Sequence, residues 1–181
     1  MTAMGSTMRR LILLRHTKSD WPAGMVDFER PLAARGRRAA PLMGRLLVDR
    51  GLVPDRAVVS PAARTVETWA LASAGLVQLP PGEQEGRIYE APAYELANVI
   101  RETADEVGTL LLVGHNPGIE TLCADIVADG PADQRRRISR KYPTGGLAVI
   151  DCAIDTWRDL APGCGTLVSF TAPRDLDSEA E

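Results

Sequence analysis

The sequence has little of the residue types on which common metal and cofactor sites depend. Among its 181 residues are three cysteines, two histidines and only 4% aromatic residues. The cysteines, Cys123, Cys152 and Cys164, are odd in number and lack CxxC spacing, which predicts reduced thiols rather than a disulfide framework or a zinc site. Zinc usually takes three or four protein ligands, and two histidines without clustered cysteines or carboxylates do not supply them. We therefore expect neither a metal nor a cofactor.

Long apolar runs and an excess of positive charge are also missing. The longest stretch without a formal charge, residues 68–82, contains Gln78 and two prolines and is shorter than the roughly 18 apolar residues of a spanning helix. Residues 11–14 are too few for a signal-peptide core, so we expect a cytoplasmic protein. With 21 basic and 24 acidic residues, the net charge is -3, and neither nucleic acid nor a membrane is the expected partner.

The composition itself is that of a globular protein, with 45% hydrophobic and 25% charged residues. A chain of this length buries enough surface to fold without a metal or a cross-link. We predict one domain over residues 8–172, preceded by a flexible segment, 1–7, and followed by an acidic, disordered tail, 173–181. A monomer is expected.

Short apolar runs alternate along the chain with segments of helical periodicity. The predicted strands are residues 11–14, 55–59, 86–89, 109–113, 147–152 and 166–170. The predicted helices include residues 35–50, with Gly51 as a glycine just past the end, and residues 92–106. Two more are predicted where a cap residue precedes a proline: Ser60 caps a helix that begins at Pro61 and reaches about residue 74, and Asn116 caps one that begins at Pro117. This alternation predicts a three-layer α/β fold, in which an open, mostly parallel sheet has helices on both faces.

Polar side chains follow the predicted strands at their carboxyl ends, where open α/β sheets bind ligands. Arg15 and His16 follow the first strand and Arg64 the second, while Glu90 and His115 follow the next two. Two guanidinium groups, two imidazoles and two helix N-termini at one edge predict a pocket for a tetrahedral dianion, namely a phosphoryl group. Because the sequence has neither GxxxxGK[ST] nor GxGxxG, a glycine-rich nucleotide cradle is not predicted.

Several motifs, in their order and spacing, resemble those of the histidine phosphatase superfamily. The motifs are LLRHTKS at residues 13–19, SPAARTVET at 60–68 and VGHNPG at 113–118. Further segments are most similar to the small, SixA-like phosphohistidine phosphatase branch: DFERPL at residues 27–32, RGR at 35–37 and PTG at 143–145. The resemblance covers residues 8–172. It implies a phosphoglycerate mutase-like fold and a metal-independent phosphatase that forms a phosphohistidine intermediate.

The resemblance also implies a role for each of the four residues at the strand ends. His16 is the expected nucleophile, while Arg15 and Arg64 bind the equatorial phosphoryl oxygens and His115 donates to the same oxygens. The positive charge of the two arginines also disfavours protonation of His16. The residues by themselves leave open which histidine attacks, and that assignment comes from the family.

Four further candidate site residues each have a second interpretation. Glu90 is the expected general acid, but it could instead cap the helix that begins near Pro92. Ser19 and Asn116 are expected phosphate contacts, or else local caps. Thr17 departs from the family, which usually has a small residue or glycine there, and it either crowds the pocket or adds a phosphate contact.

The segment over the site predicts an open pocket. About 28 residues separate His115 from Thr144, and most are expected in one helix, so the site suits a phosphorylated protein side chain better than a small metabolite. A basic cluster either docks an acidic phosphoprotein or is simply solvated; it consists of Arg135, Arg136, Arg137, Arg140 and Lys141. Two alternatives remain, a non-catalytic phosphate-binding module and a phosphatase or mutase of a small phosphorylated metabolite.

Overall fold

The computed structural model describes residues 7–177, which form a sheet covered by helices. The strands are β1 (Met8–Arg15), β2 (Arg56–Val59), β3 (Gly82–Gln84), β4 (Thr109–Gly114), β5 (Val127–Asp129), β6 (Leu147–Ala153) and β7 (Gly165–Thr171). The helices are α1 (Ala34–Asp49), α2 (Ala63–Ser73), α3 (Ala93–Arg101), α4 (Gly118–Ile126), α5 (Ala132–Arg140) and α6 (Pro173–Asp177). Short 3-10 helices lie at Asp27–Glu29, Gly86–Ile88 and Trp157–Asp159.

The strands form one open sheet in the order β3-β2-β4-β1-β6-β7-β5. Four neighbouring pairs are parallel, and the two pairs that include β6 are antiparallel. The prediction of a mostly parallel open sheet is therefore confirmed. Strands β1, β4 and β2 are adjacent and parallel, so their carboxyl ends lie at the same edge of the sheet.

The apolar run of β1 is buried on both faces of the sheet, as its lack of alternation predicts. Leu11 and Leu13 pack in the core under α3 and α4, whereas Ile12 and Leu14 pack in the core under α1 and α2. All four side chains are fully buried. Helices thus cover both faces, which confirms the three-layer architecture. In residues 7–177 no helix is long and apolar enough to cross a bilayer.

Some predicted elements end or begin elsewhere. The predicted strand 86–89 is wrong, because these residues contain the 3-10 helix Gly86–Ile88, whose first turn is fixed by the Glu85 carboxylate accepting from the Arg87 amide. The strand is β3, an exposed and polar edge strand that carries no apolar signal. The helix predicted over 92–106 ends at Arg101, because residues 102–106, Thr103 apart, add no buried side chain.

Two cap predictions are also corrected. Helix α2 begins after Ala62 and α4 after Pro117, and neither has a side-chain cap. Ser60 and Asn116 instead precede these helices by two or three residues and face other partners. The glycine expected after α1 is confirmed, since Gly51 takes the left-handed φ of +65° that favours glycine.

The segment between His115 and Thr144 holds more than the one helix predicted. It contains α4, β5 and α5. Helix α5 buries only Ile138 and is otherwise polar, so it lacks the apolar stripe by which a helix is recognised in a sequence.

The tail prediction is wrong for residues 173–177, which form α6. The Asp175 carboxylate accepts from the Arg137 guanidinium at 2.7 Å and from the Ala172 amide at 2.7 Å, and both contacts hold α6 against the domain. Residues 178–181 of the predicted tail and 1–6 of the predicted flexible N-terminus lie outside the described residues. The amide of Thr7 donates to Asp155.

Candidate active site

The four residues at the strand ends come together where β1, β4 and β2 end. Arg15 pairs with Gly114 in the β1–β4 register, so His16 and His115 follow directly after paired positions on neighbouring strands. Their ring centroids are 5.4 Å apart. Arg64 lies in the first turn of α2, and its charge and that of Arg15 both act on the two histidines.

His16 is held so that one ring nitrogen is free to attack. Its Nδ1 lies 2.7 Å from the Thr17 carbonyl oxygen. A carbonyl can only accept, so Nδ1 carries the proton of the neutral ring and Nε2 keeps its lone pair. Burial lowers the pKa of His16 to about 3, and the positive charges of Arg64 and Arg15 act in the same direction. The ring is therefore neutral at physiological pH.

Backbone oxygens anchor both arginines. Arg15 donates to the Tyr142 carbonyl at 2.8 Å, and Arg64 donates to the Asp27 carbonyl at 2.8 Å. In each guanidinium group Nε is buried and has no partner among the described residues. Burial lowers the pKa of Arg15, but an arginine stays charged throughout the physiological range.

His115 is the second neutral imidazole. Its Nε2 lies 2.7 Å from the Ser60 hydroxyl, while its Nδ1 is buried and makes no hydrogen bond within residues 7–177. Burial, followed by the Arg64 charge, lowers the pKa of His115 to about 4. Ser60 was predicted only as a helix cap, and its hydroxyl instead orients the His115 ring.

Unpaired buried polar atoms mark the centre of the site. Five such side-chain atoms occur in the described part of the chain, and four of them belong to the strand-end cluster. They are Arg15 Nε, Arg64 Nε, His115 Nδ1 and Asn116 Oδ1. An unsatisfied buried polar group costs about 1–3 kcal/mol. A bound oxyanion would accept hydrogen bonds from both guanidinium groups. It would also accept one from His115 when Nδ1 of that ring carries the proton.

The carboxylate of Asp27, in the DFERPL segment, also takes part in the site. Asp27 accepts from the Tyr89 hydroxyl at 2.7 Å, from Arg30 at 2.9 Å and from Arg64 at 3.1 Å. The Tyr89 hydrogen bond leads the interactions that lower the pKa of Asp27 to about 2. Asp27 is thus ionised at neutral pH, so it orients Arg64 and does not serve as an acid. The Tyr89 ring meets His115 edge-on at 5.7 Å.

Glu90 lies beside Tyr89 at the surface. It is exposed and makes no hydrogen bond or ion pair with any other residue of 7–177. The alternative that Glu90 caps the next helix is wrong, because Pro92 is the N-cap of α3 and no side chain caps it. Its φ of +51° is in the left-handed region. Such a backbone in a residue other than glycine is uncommon and is found more often at functional sites.

The other three predicted phosphate contacts each have a hydrogen-bond partner within the protein. Thr17 is fully buried, and its amide and hydroxyl both meet the Thr68 hydroxyl. Ser19 accepts from Arg30 at 2.7 Å. The Asn116 amide nitrogen donates to the Tyr142 carbonyl at 3.1 Å, so only its carbonyl oxygen is unpaired, and that oxygen does not bind an anion. The Thr17 hydroxyl and the Asn116 amide nitrogen are thus engaged within the protein. The Ser19 hydroxyl only accepts from Arg30, so its contact with phosphate stays a prediction.

No group of three or more histidine, cysteine or carboxylate side chains in residues 7–177 is arranged to hold a metal ion. The three cysteines are free thiols, two buried and one half-buried.

Sequence comparison finds a matching family and relatives that align with most of the chain. The family described as the histidine phosphatase superfamily (branch 1) matches residues 11–90. The uncharacterized protein Rv1276c of Mycobacterium tuberculosis is 38% identical over 163 residues, which are 89% of this chain and 100% of that protein. The uncharacterized protein ML1117 of Mycobacterium leprae is 34% identical over 166 residues, with 89% and 100% covered.

Solved structures share the fold over nearly the whole chain. A candidate phosphohistidine phosphatase SixA from Agrobacterium tumefaciens is 32% identical, with a TM-score of 0.74, and the match covers 91% of this chain and 98% of that one. A candidate SixA from Nakamurella multipartitia is 27% identical, with a TM-score of 0.78 and 92% and 96% covered. The protein histidine phosphatase SixA complexed with tungstate, at 20% identity and a TM-score of 0.73, covers 92% and 99% and supports the fold alone.

Proposed function

Because this chain belongs to the histidine phosphatase superfamily, and to its SixA-like branch, we propose that it hydrolyses phosphohistidine in a protein. The reaction uses no metal ion and passes through a phosphohistidine on His16. One observation carries this proposal: the free lone pair of His16 Nε2 lies in a cluster in which buried nitrogens of Arg15, Arg64 and His115 lack partners.

The first step transfers the phosphoryl group to His16. The Nε2 lone pair forms a bond to phosphorus while the bond from phosphorus to the leaving atom breaks, and the leaving atom takes up a proton. Arg15 and Arg64 neutralise the charge on the equatorial phosphoryl oxygens and hold the phosphoryl group in line with Nε2. Since the Thr17 carbonyl accepts from Nδ1, it also stabilises the positive charge that develops on the His16 ring.

The second step releases phosphate. Water attacks phosphorus, the bond to Nε2 breaks, and its electron pair returns to His16 as the lone pair. The proton that water loses returns to the group that protonated the leaving atom, so the sum of both steps is hydrolysis. Glu90 is the group we assign to this proton transfer, because it is exposed beside the cluster and is not engaged by a helix cap.

Two features favour phosphohistidine of a protein as the substrate. The leaving imidazole has a weak bond to phosphorus and needs less help from an acid, which suits a site whose carboxylate is on the surface rather than buried against the leaving atom. The two structural relatives that are 27% and 32% identical are described as candidate phosphohistidine phosphatases.

The experiment follows the radioactive phosphoryl group. We expect that wild-type protein incubated with a phosphorus-32-labelled phosphohistidine peptide becomes labelled in an acid-labile form and releases phosphate, and that excess EDTA leaves turnover unchanged. In His16→Asn, turnover falls by about 10³-fold or more and the label is lost, since no other nucleophile replaces Nε2. His115→Asn is the matched control, and it should turn over slowly but still be labelled.

Three results would contradict the proposal in different ways. A labelled His16→Asn protein would move the nucleophile to another residue. Loss of turnover in EDTA would show that the reaction needs a metal. A wild type that binds phosphate but is never labelled would be a non-catalytic binding module. A panel with phosphoserine peptide and sugar phosphates completes the test, because preference for a sugar phosphate would contradict a protein substrate.

A further inference from the structure

A large basic groove lies next to the active site. It is a cavity of about 1000 Å³ between α1, α5, α6 and the segment that follows β1. Eight of the chain's 21 basic residues line it, against two acidic residues, Asp133 and Asp177. The chain as a whole carries a net charge of -3, so this concentration of positive charge runs against its overall sign. We call this cavity the basic groove.

Most of this charge is not neutralised within residues 7–177. Six of the eight basic side chains make no hydrogen bond or ion pair with any residue of 7–177. They are Lys18, Arg35, Arg38, Arg136, Arg140 and Lys141. Like charges around one cavity repel each other, so the arrangement is unfavourable in the free protein and becomes favourable when an anionic ligand is bound.

The N-terminus of α1 also favours an anion in the basic groove. A helix N-terminus carries a partial positive charge, and acidic residues there are stabilising. Helix α1 instead begins without a side-chain cap or an acidic residue in its first turn, and Arg35 and Arg38 lie within its first five residues. An anion in the basic groove would therefore meet both the arginines and this helix end.

The basic groove lies next to the segment that carries His16. Lys18, which lines the groove, is two residues beyond His16. Thr144 also lines it, and the next residue, Gly145, donates its amide to the His16 carbonyl at 2.9 Å and the Arg15 carbonyl at 3.1 Å. At Gly36 a Cβ would collide with the Lys18 carbonyl, so α1 lies directly against this segment. The groove therefore borders the segment that carries His16.

We propose that the basic groove docks an acidic segment of the phosphoprotein substrate, rich in Asp and Glu, while its phosphohistidine enters at His16. This inference rests on the proposed function. The chain itself shows that a carboxylate fits beside the groove, because Asp175 of α6 accepts from Arg137 at 2.7 and 2.8 Å. Charge complementarity of this kind steers a partner and sets its orientation.

A nucleic acid fits the basic groove less well. Its lining includes no aromatic side chain, and aromatic side chains are the usual stacking platforms for single-stranded bases. The negative net charge of the chain also repels a long polyanion outside the groove. An acidic protein segment requires only local positive charge.

The test measures binding of a fluorescein-labelled peptide of consecutive glutamates by fluorescence polarisation, with a glutamine peptide of the same length as reference. We expect the wild type to bind the glutamate peptide and not the glutamine peptide, and to bind at least about tenfold more weakly at about 300 mM salt than at about 50 mM. Arg136→Glu combined with Arg140→Glu should weaken binding at least about tenfold. Arg45→Glu combined with Arg158→Glu, an equal charge change at exposed arginines outside the groove, should change binding by less than about twofold.

Peptide binding that the Arg136/Arg140 pair does not weaken would overturn the inference, and so would tighter binding of an oligothymidylate than of the peptide. Thermal unfolding of each variant separates a folding defect from a binding defect. The proposed function is judged apart from this: a wild type that cleaves phosphohistidine but ignores the peptide overturns only the docking. A wild type that binds the peptide but never turns over overturns only the proposed function.

Discussion

The active-site cluster and the basic groove lie side by side, yet they hold positive charge in opposite ways. In the cluster, Arg64 is 6% exposed and a backbone oxygen anchors each arginine. In the groove, Arg136 and Arg140 are exposed and have no partner in residues 7–177. The cluster has anchored arginines with buried, unpaired nitrogens, whereas most basic side chains of the groove are exposed.

The difference indicates which step of the reaction each region serves. A buried and oriented guanidinium makes strong, directional hydrogen bonds to a phosphoryl group, and these can strengthen in the transition state. Exposed charges act over a longer range, are screened by salt, and mainly affect how often and how tightly a partner binds. We therefore expect changes in the cluster to lower kcat, and changes in the groove to raise the Kd or KM for an acidic partner.

The largest effect among the following variants is expected for Arg64→Lys. A lysine keeps the charge but cannot donate to Asp27 and to a phosphoryl oxygen at once in the geometry of the guanidinium fork. We expect kcat for a phosphohistidine peptide to fall by about 10²- to 10³-fold. Arg56→Lys is the matched control, because Arg56 forms an ion pair with Glu83 at the surface, and it should be active within about twofold. A rise in KM with unchanged kcat would show that Arg64 binds ground state and transition state equally.

A smaller and substrate-dependent effect is expected for Glu90→Gln. The amide cannot protonate a leaving alkoxide, so kcat for a phosphoserine peptide should fall by about 30-fold. For a phosphohistidine peptide, whose leaving imidazole needs less acid catalysis, the fall should be less than about threefold. Glu106→Gln, another exposed carboxylate, should leave both rates unchanged. Equal losses on both peptides would exclude a role for Glu90 in protonating the leaving group.

The smallest effect concerns stability and the burial of the two histidines. Their pKa values are about 3 and about 4 in the folded protein and about 6.5 in an unfolded chain. The unfolded state therefore binds more protons at acid pH, and stability that is present above pH 6.5 is lost as the pH falls toward 4. Each histidine should contribute about 1.4 kcal/mol to this loss at pH 5.5.

Urea unfolding of the wild type, His16→Asn and His115→Asn between pH 8 and 5.5 measures this contribution. The free energy of unfolding of each variant should depend less steeply on pH than that of the wild type, because one buried titrating group is gone. Parallel curves would mean that the histidines are not held neutral by burial.

The sequence predicted those parts of the fold that leave a local pattern. Residues 11–14 of strand β1 form an unbroken apolar run buried on both faces, and α4 carries its apolar stripe in one stretch of nine residues. Strand β3 and helix α5 bury almost nothing and so give no such pattern. Their places are set by the strand and helices beside them, which a local window does not contain.

The residues of the candidate site also divide into those that a local sequence pattern predicts and those that it does not. Arg15, His16, Arg64 and His115 could be found because each follows a recognisable strand. The role of Asp27 could not, since it depends on contacts with Arg64 and Tyr89, 37 and 62 residues away along the chain.

The sequence by itself determined the strands, their alternation with helices and the residues at the strand ends, because apolar periodicity and chain order are local properties. Only the tertiary structure decided which nitrogen of His16 is free, which buried donors lack partners, and that basic residues of α1, α5 and α6 surround one cavity. Those facts depend on distances between segments far apart in the chain, and such distances are fixed only when the core packs.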